Sequence, residues 1–349
     1  MLPLGRMRPA RFNPNRTRRH GSTAFLITQV RKRTMNANPT QGSIAGTEIL
    51  PAAVNYHLNR HCNFSCRYCF AAFNDHPTSH GVMLPRGDMF QIVSEIAAAP
   101  PPKGAPRRKL TFVGGEPTLC PWLPELIAYA KEEGLVTMLV TNGSRLDEAY
   151  LNRLGGALDW VSISVDSADA DTNRRIGRHD AAGPMMSDAY VQLAELVRAS
   201  GMRLKVNTVV NALNCVEDMS VLIVAMMPER WKVLQAMPVA GQNDEFIGDL
   251  QVEQRWFDAF VRRHALASEF DITVIPESIE DMRGSYAMID PYGRFFDSAS
   301  GRHFYSNSIL EVGVSAAFRE VTFDRAKFHR RGGDYQYTPD SDQRLANAA

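Results

Sequence analysis

From about residue 53 the chain alternates short apolar runs with longer stretches of helical period. The runs "AVNYHLN" (53–59), "KLTFVGG" (109–115), "VTMLVTN" (136–142), "WVSISVDS" (160–167), "RLKVNTVVN" (203–211) and "RWKVLQAMPVAG" (230–241) have strand length and composition. Between them "PRGDMFQIVSEIAAA", "WLPELIAYAKEEG", "LDEAYLNRLGG", "SDAYVQLAELVRASG" and "VEDMSVLIVAMM" repeat apolar residues at helical spacing, and "QVEQRWFDAFVRRHAL" follows the last strand. Six strands, each followed by a helix, imply a parallel sheet with right-handed crossovers. A six-unit partial barrel and an open doubly wound sheet both satisfy the pattern. Either one places its ligand site at the carboxyl ends of the strands.

The charge is divided unevenly. Residues 1–47 hold eight Arg, one Lys and no acid, whereas the formal net charge of the whole chain is +1, so the remainder carries −8. This basic segment has no sustained period and reads as disordered over 1–49, either as an arm resembling a transit peptide or a nucleic-acid tail, or as sequence upstream of an internal start at Met35. No run of about 18 apolar residues occurs, so no transmembrane helix and no membrane partner are expected. Five cysteines, an odd number with three of them clustered, fit a reducing compartment better than a disulfide framework, and a cytoplasmic location is expected. The expected organisation is 1–49 as the basic segment, 50–265 as the α/β unit and 266–349 as a C-terminal extension.

The cluster is Cys62, Cys66 and Cys69 in "HCNFSCRYCF". Three thiolates brought together by short loops suit iron–sulfur or zinc chemistry. A structural zinc site takes a fourth protein ligand, which His61, Cys120 or Cys215 would have to supply. A [4Fe–4S] cluster held through three irons instead leaves its fourth iron open to a small chelating molecule. The x3, x2 spacing with Tyr68 before the last cysteine resembles the radical S-adenosylmethionine (SAM) enzymes, which favours the partial (βα)6 barrel of that superfamily. Through that resemblance, SAM chelates the open iron, and reduction cleaves it to a 5′-deoxyadenosyl radical that takes a hydrogen from substrate. Gly114, Gly115 and Glu116 of "GGEP" then correspond to the segment that meets the SAM amino group, and Asn142 and Ser164 lie near its carboxylate or ribose. Read alone, the Gly-Gly and Asn-Gly pairs are ordinary turn chemistry. Cys120 and Cys215 read as buried small hydrophobes with no role.

Charged residues inside the later strands point to the substrate. Arg203, Lys205 and Asn207 share one face by the period of two, and Arg230 and Lys232 share a face of the next strand. Cations directed into a barrel are costly unless an anion meets them, so a polyanion such as a triphosphate is expected. The structural alternative pairs Lys205 with Glu116 or Asp166 and lets Arg230 snorkel at its strand start. In the loop "NRRIGRHD" Arg178 is the candidate for phosphate oxygens, since an Arg fork matches them.

Several segments together resemble the viperin family of radical SAM nucleotide dehydratases: "NYHLNRHCNFSCRYCF", "GGEPTL", "IGR", "KVNTVVN", "RWKVLQ", "SYAMIDPYGRFF", "SILEVGV" and "FHRRGGDY". The resemblance implies a ribonucleoside triphosphate, CTP, UTP or GTP, as substrate and its 3′-deoxy-3′,4′-didehydro analogue as product, a chain terminator in anti-phage defence. The radical would take the ribose 4′ hydrogen and the 3′ hydroxyl would leave as water. Lys205, Asn207, Arg230 and Lys232 would hold the nucleotide with help from Arg178. Ser285, Tyr286 and Asp290 would lie in a segment packed over the site, with Tyr286 a proton or hydrogen donor. A flavodoxin or ferredoxin-type electron donor is implied. The chain departs from the family in having no lysine in "AAFNDHPTSHG", where His76 or Asn74 would substitute.

Two rivals frame this reading. The nearest is a radical SAM enzyme acting on a peptide or another phosphorylated substrate; the peptide maturases and the GTP cyclase of molybdenum-cofactor synthesis usually bind auxiliary clusters through cysteines near the C-terminus, and none follows Cys215. A zinc-stabilised RNA-binding module would stack bases on Phe64, Tyr68, Phe70 and Phe73. Its domain surface would have to be basic, yet the chain beyond residue 47 is net acidic.

Overall fold

A computed structural model describes residues 50–75, 81–100, 107–334 and 337. The basic segment 1–49 and His76 lie outside them. All six expected strands form: β1 (Ala53–His57), β2 (Lys109–Val113), β3 (Val136–Thr141), β4 (Trp160–Ser164), β5 (Arg203–Val210) and β6 (Arg230–Gln235). They pair in parallel in chain order. Two further parallel strands were not anticipated. One is β7 (Thr273–Glu277), added beside β6, and the other is the two-residue β8 (Met288–Ile289), added beside β1. Antiparallel β9 (Arg294–Asp297) and β10 (Phe304–Ser308) complete a sheet in the order β10-β9-β8-β1-β2-β3-β4-β5-β6-β7. The result is the expected partial barrel, extended at both edges by the C-terminal third of the chain. Residue 276 is proline, which cannot donate to a ladder and is tolerated in β7 because that strand ends the sheet.

The helices bury the stripe that their period announced. Helix Arg86–Ala98 buries Met89, Ile92, Val93 and Ile96, and helix Ser187–Ala199 buries Tyr190, Leu193, Ala194 and Val197. These residues and the outward faces of the strands make one large core. Local chemistry sets some boundaries: the Asp147 carboxylate accepts from the Tyr150 N–H at 2.7 Å, so helix Glu148–Leu154 starts there. The helix anticipated over "VEDMSVLIVAMM" begins only at Ser220, because Glu217 is drawn away to Ser167 and the Ala168 N–H.

The end of the chain folds back on the amino ends of the strands. Phe328 and Tyr337 pack with Ala52, Val136, Met138 and Trp160, which lie at or near the starts of β1, β3 and β4. The Trp160 indole N–H donates to the Tyr337 carbonyl at 2.8 Å. This plug closes the floor of the barrel.

Candidate active site

A cavity of about 830 Å³ runs through the barrel from the cysteine loop after β1 to the plug. The mouth is built by loops that hold one another. The Ser65 N–H donates to the Gly177 carbonyl at 3.2 Å and the Arg67 N–H to the Ile176 carbonyl at 3.0 Å, tying the cysteine loop to the segment after β4. A Cβ on Gly177 (φ +76°) would stand 2.2 Å from the Ser65 carbonyl oxygen, so only glycine permits the contact. On the other side the Gly115 and Glu116 N–H groups donate to the Asn59 and His61 carbonyls at 2.7 and 2.8 Å. A Cβ on Gly115 would lie 2.2 Å from the His61 oxygen. The glycines of "GGEP" are thus required by contact with the cysteine loop itself.

Glu116 is buried and fully engaged. Its carboxylate accepts from the Thr118 N–H and hydroxyl, the Thr141 hydroxyl and the Asn142 N–H at 2.7–3.0 Å, fastening β2 to β3. The Asn142 amide donates to Asn63 at 2.9 Å, joining β3 to the cysteine loop. Ser164 lines the cavity opposite, at the end of β4. All five expected SAM-site residues line the same cavity as the thiols.

Cys62, Cys66 and Cys69 line this mouth, whereas Cys120 and Cys215 are buried in the main core and supply no fourth ligand. Burial pushes the Cys62 thiol up to about 12 and the Cys69 thiol to about 11, so iron must displace their protons. Among the described residues no group of three or more His, Cys, Asp or Glu side chains is arranged to hold a single ion. A [4Fe–4S] cluster suits the set better, since each thiolate meets a different iron. Of the rival stacking set, Phe64, Tyr68 and Phe73 are buried and Phe70 is half-buried.

Arg178 departs from its expected place on the phosphate side. Its guanidinium pairs with Asp166 at 3.1 Å, donates to the Ser164 carbonyl at 2.7 Å and approaches the Cys66 sulfur at 3.6 Å. Tyr68 donates to the same Asp166 carboxylate, and the Asp166 carboxylate also accepts from the Val209 N–H at 2.7 Å. The ion pair makes Arg178 a support of the cysteine loop.

Deeper in the barrel stands a cationic wall. Lys205 is the register partner of Arg230, and Asn207 that of Lys232, so the four residues form a patch across β5 and β6. Lys205 pairs with neither Glu116 nor Asp166 and has no hydrogen-bond or ion-pair partner among the described residues. Arg203, on the same face, instead pairs with Glu229 at 2.5 Å and lies 3.9 Å over the Trp160 ring. Three members of the wall escaped sequence reading: Lys109 at the start of β2, Glu277 at the end of β7 and Arg331 of the plug. Glu277 is fully buried and pairs with Lys232 at 2.5 Å and Arg331 at 3.3 Å. Burial alone would raise its carboxyl, but the two cations overcome that and hold it at about 2. Tyr286 donates to Glu277, accepts from Lys232 at 2.9 Å and lies 3.7 Å under the Arg331 guanidinium. Arg331 also donates to the Ser285 hydroxyl and carbonyl at 2.8 and 2.7 Å. Burial lowers Lys232 to about 8 despite Glu277.

Two further expected residues take these places. Asp290 is bound to Arg294 at 2.7 Å and caps its own turn, outside the cavity lining. Asn74 reaches the cavity with its amide donating to the Gln242 carbonyl at 3.1 Å. The Asn207 Oδ1 and His57 Nδ1 atoms, on residues that line the cavity, are buried with no hydrogen-bond partner among the described residues.

Fold and thiol pocket together define a radical SAM protein, and the model of the radical SAM superfamily matches residues 56–212. Streptococcus suis SuiB, solved with SAM bound, shares the fold at a TM-score of 0.53 and 14% identity over 71% of this chain and 60% of its own. Two S-adenosylmethionine-dependent nucleotide dehydratases, from Lacinutrix mariniflava and Flammeovirga pacifica, are each 41% identical over 84% of this chain. The chain spans 60% of the length of the first and 98% of the second. It belongs to the S-adenosylmethionine-dependent nucleotide dehydratase family. The cofactors of the superfamily, a [4Fe–4S] cluster and SAM, fit the mouth described above. Among the described residues no helix is long and apolar enough to cross a membrane.

Proposed function

We propose that the chain dehydrates a ribonucleoside triphosphate to its 3′-deoxy-3′,4′-didehydro analogue. The observation that carries this reading is one cavity with three thiols at its mouth and a buried cationic wall at its floor. Cys62, Cys66 and Cys69 hold the cluster, and Gly114, Gly115, Glu116, Asn142 and Ser164 shape the SAM site. When bound, cluster and SAM supply the one-electron chemistry that opens a ribose C–H bond. Lys205, Arg230, Lys232, Lys109 and Arg331 bind the phosphates, and Asn207 offers the nucleotide an oxygen that has no partner among the described residues. This anchors the ribose between floor and mouth, where positioning is the protein's main contribution to rate. Tyr286, which donates to Glu277 within the wall, supplies the proton that leaves with the 3′ hydroxyl as water. A flavodoxin or ferredoxin-type donor, a cytoplasmic location and a chain-terminating product used against phage complete the reading.

Anaerobic incubation of the reconstituted, reduced protein with SAM and CTP, UTP, GTP or ATP, followed by mass spectrometry, tests it. The expected result is a nucleotide lighter by one water from one of the four. An intact cluster that yields no such product from any of them overturns the reading and turns attention to peptides or other phosphorylated molecules.

A further inference from the structure

We infer that Arg178 sets the reduction potential of the cluster, through a charged hydrogen bond to the sulfur of Cys66. This rests on the cluster that the proposed reading assigns to the three thiols and goes beyond it in naming the residue that tunes how readily the cluster takes its electron.

The thiols do not share one environment. Cys62 meets a neutral donor, the Phe64 N–H at 3.3 Å. Cys66 meets a guanidinium, with Arg178 Nη1 3.6 Å from its sulfur. Arg178 is buried and held from behind by the Ser164 carbonyl at 2.7 Å and the Asp166 carboxylate at 3.1 Å. The close approach of Gly177 to Ser65, which ties the two loops together, is what brings this side chain to the sulfur.

Asp166 is the counter-charge, so the pair as a whole is neutral. What the sulfur meets is the positive end of that pair. The Asp166 carboxylate also accepts from the Tyr68 hydroxyl and the Val209 N–H, which share its charge with Arg178. At Cys66 the guanidinium acts more strongly than the carboxylate, and its charge also acts on Cys69.

Reduction adds one electron to the cluster, drawn from the flavodoxin or ferredoxin-type donor, and breaks no bond. The added negative charge spreads over the irons, the sulfides and the thiolates. A charged N–H beside one thiolate therefore stabilises the reduced form more than the oxidised one and raises the potential.

The test is a redox titration of the reconstituted protein and of Arg178→Gln, followed by the electron paramagnetic resonance of the reduced cluster, with iron and sulfide analysis of both. The variant is expected to show a tenfold lower ratio of reduced to oxidised cluster at a fixed potential, a midpoint lower by about 59 mV. Direction separates this from mere loosening of the loop, since water admitted to the cluster favours the more highly charged reduced form and moves the midpoint up. An unmoved or raised midpoint in the loaded variant overturns the inference and leaves the dehydratase reading standing. If the variant takes up no iron, spin-echo spectra of the unsubstituted protein, grown with heavy-nitrogen arginine, decide instead. A nitrogen coupling from arginine to the reduced cluster is expected, and its absence overturns the inference. Failure of the unsubstituted protein to assemble any four-iron cluster overturns both readings.

Discussion

Glu277 is the residue on which the cationic wall turns. It fixes Lys232, Arg331 and Tyr286 in one hydrogen-bonded unit, and its negative charge supports the Lys232 ammonium. Lys232 is charged below about 8 and neutral above it. The pH dependence of kcat/KM, which reports free-enzyme groups, should therefore fall as pH rises through that region. Glu277→Gln removes the supporting charge and keeps the shape. It is expected to lower kcat/KM by roughly tenfold and to move the alkaline limb to lower pH. Loss of amplitude with an unmoved limb would show that Glu277 only supports the fold.

This residue was hidden in the sequence for a physical reason: it ends a short edge strand interrupted by proline, "TVIPE", whose alternation is weak. Arg331 was hidden by its neighbour, since "RR" at 330–331 gives no hint that the first is exposed and the second buried. Lys205, Asn207, Arg230 and Lys232 stood out because polar and charged side chains recur with a strict period of two inside otherwise apolar strands.

Among the elements, the six barrel strands and their helices followed from periodicity, since each helix stripe and strand run is long enough to be unambiguous. The strands that widen the sheet did not, because β8 is two residues long and its place is set by pairing with β1. The plug was likewise legible as a motif but not as a location. It acts from the amino ends of the strands, the side opposite to the one where βα folds usually place chemistry. Phe328 is its buried anchor and lies 5.1 Å from the Arg331 guanidinium. Phe328→Ala should cost about 3 kcal/mol of stability and weaken nucleotide binding while leaving iron content unchanged. Thermal denaturation, iron analysis and calorimetry check the three parts. Full retention of nucleotide affinity would show that the plug does not position Arg331.

For the whole molecule, the claim is that one barrel holds both reactants. On the proposed reading the mouth would bind the radical-generating cofactors, the floor would bind phosphate, and the depth between them would set which ribose carbon faces SAM. Family resemblance carried the cofactors and the reaction. The contact of Arg178 with the cysteine loop and the completion of the wall by β7 and the plug depend on tertiary packing, which strand and helix periods do not encode.

The most direct measurement is single-turnover incubation of the reduced, SAM-loaded protein with its nucleotide deuterated at the ribose 4′ position. Deuterium recovered in 5′-deoxyadenosine, together with the dehydrated nucleotide, is the predicted result. 5′-Deoxyadenosine free of deuterium, formed while the labelled nucleotide is bound, would contradict the account.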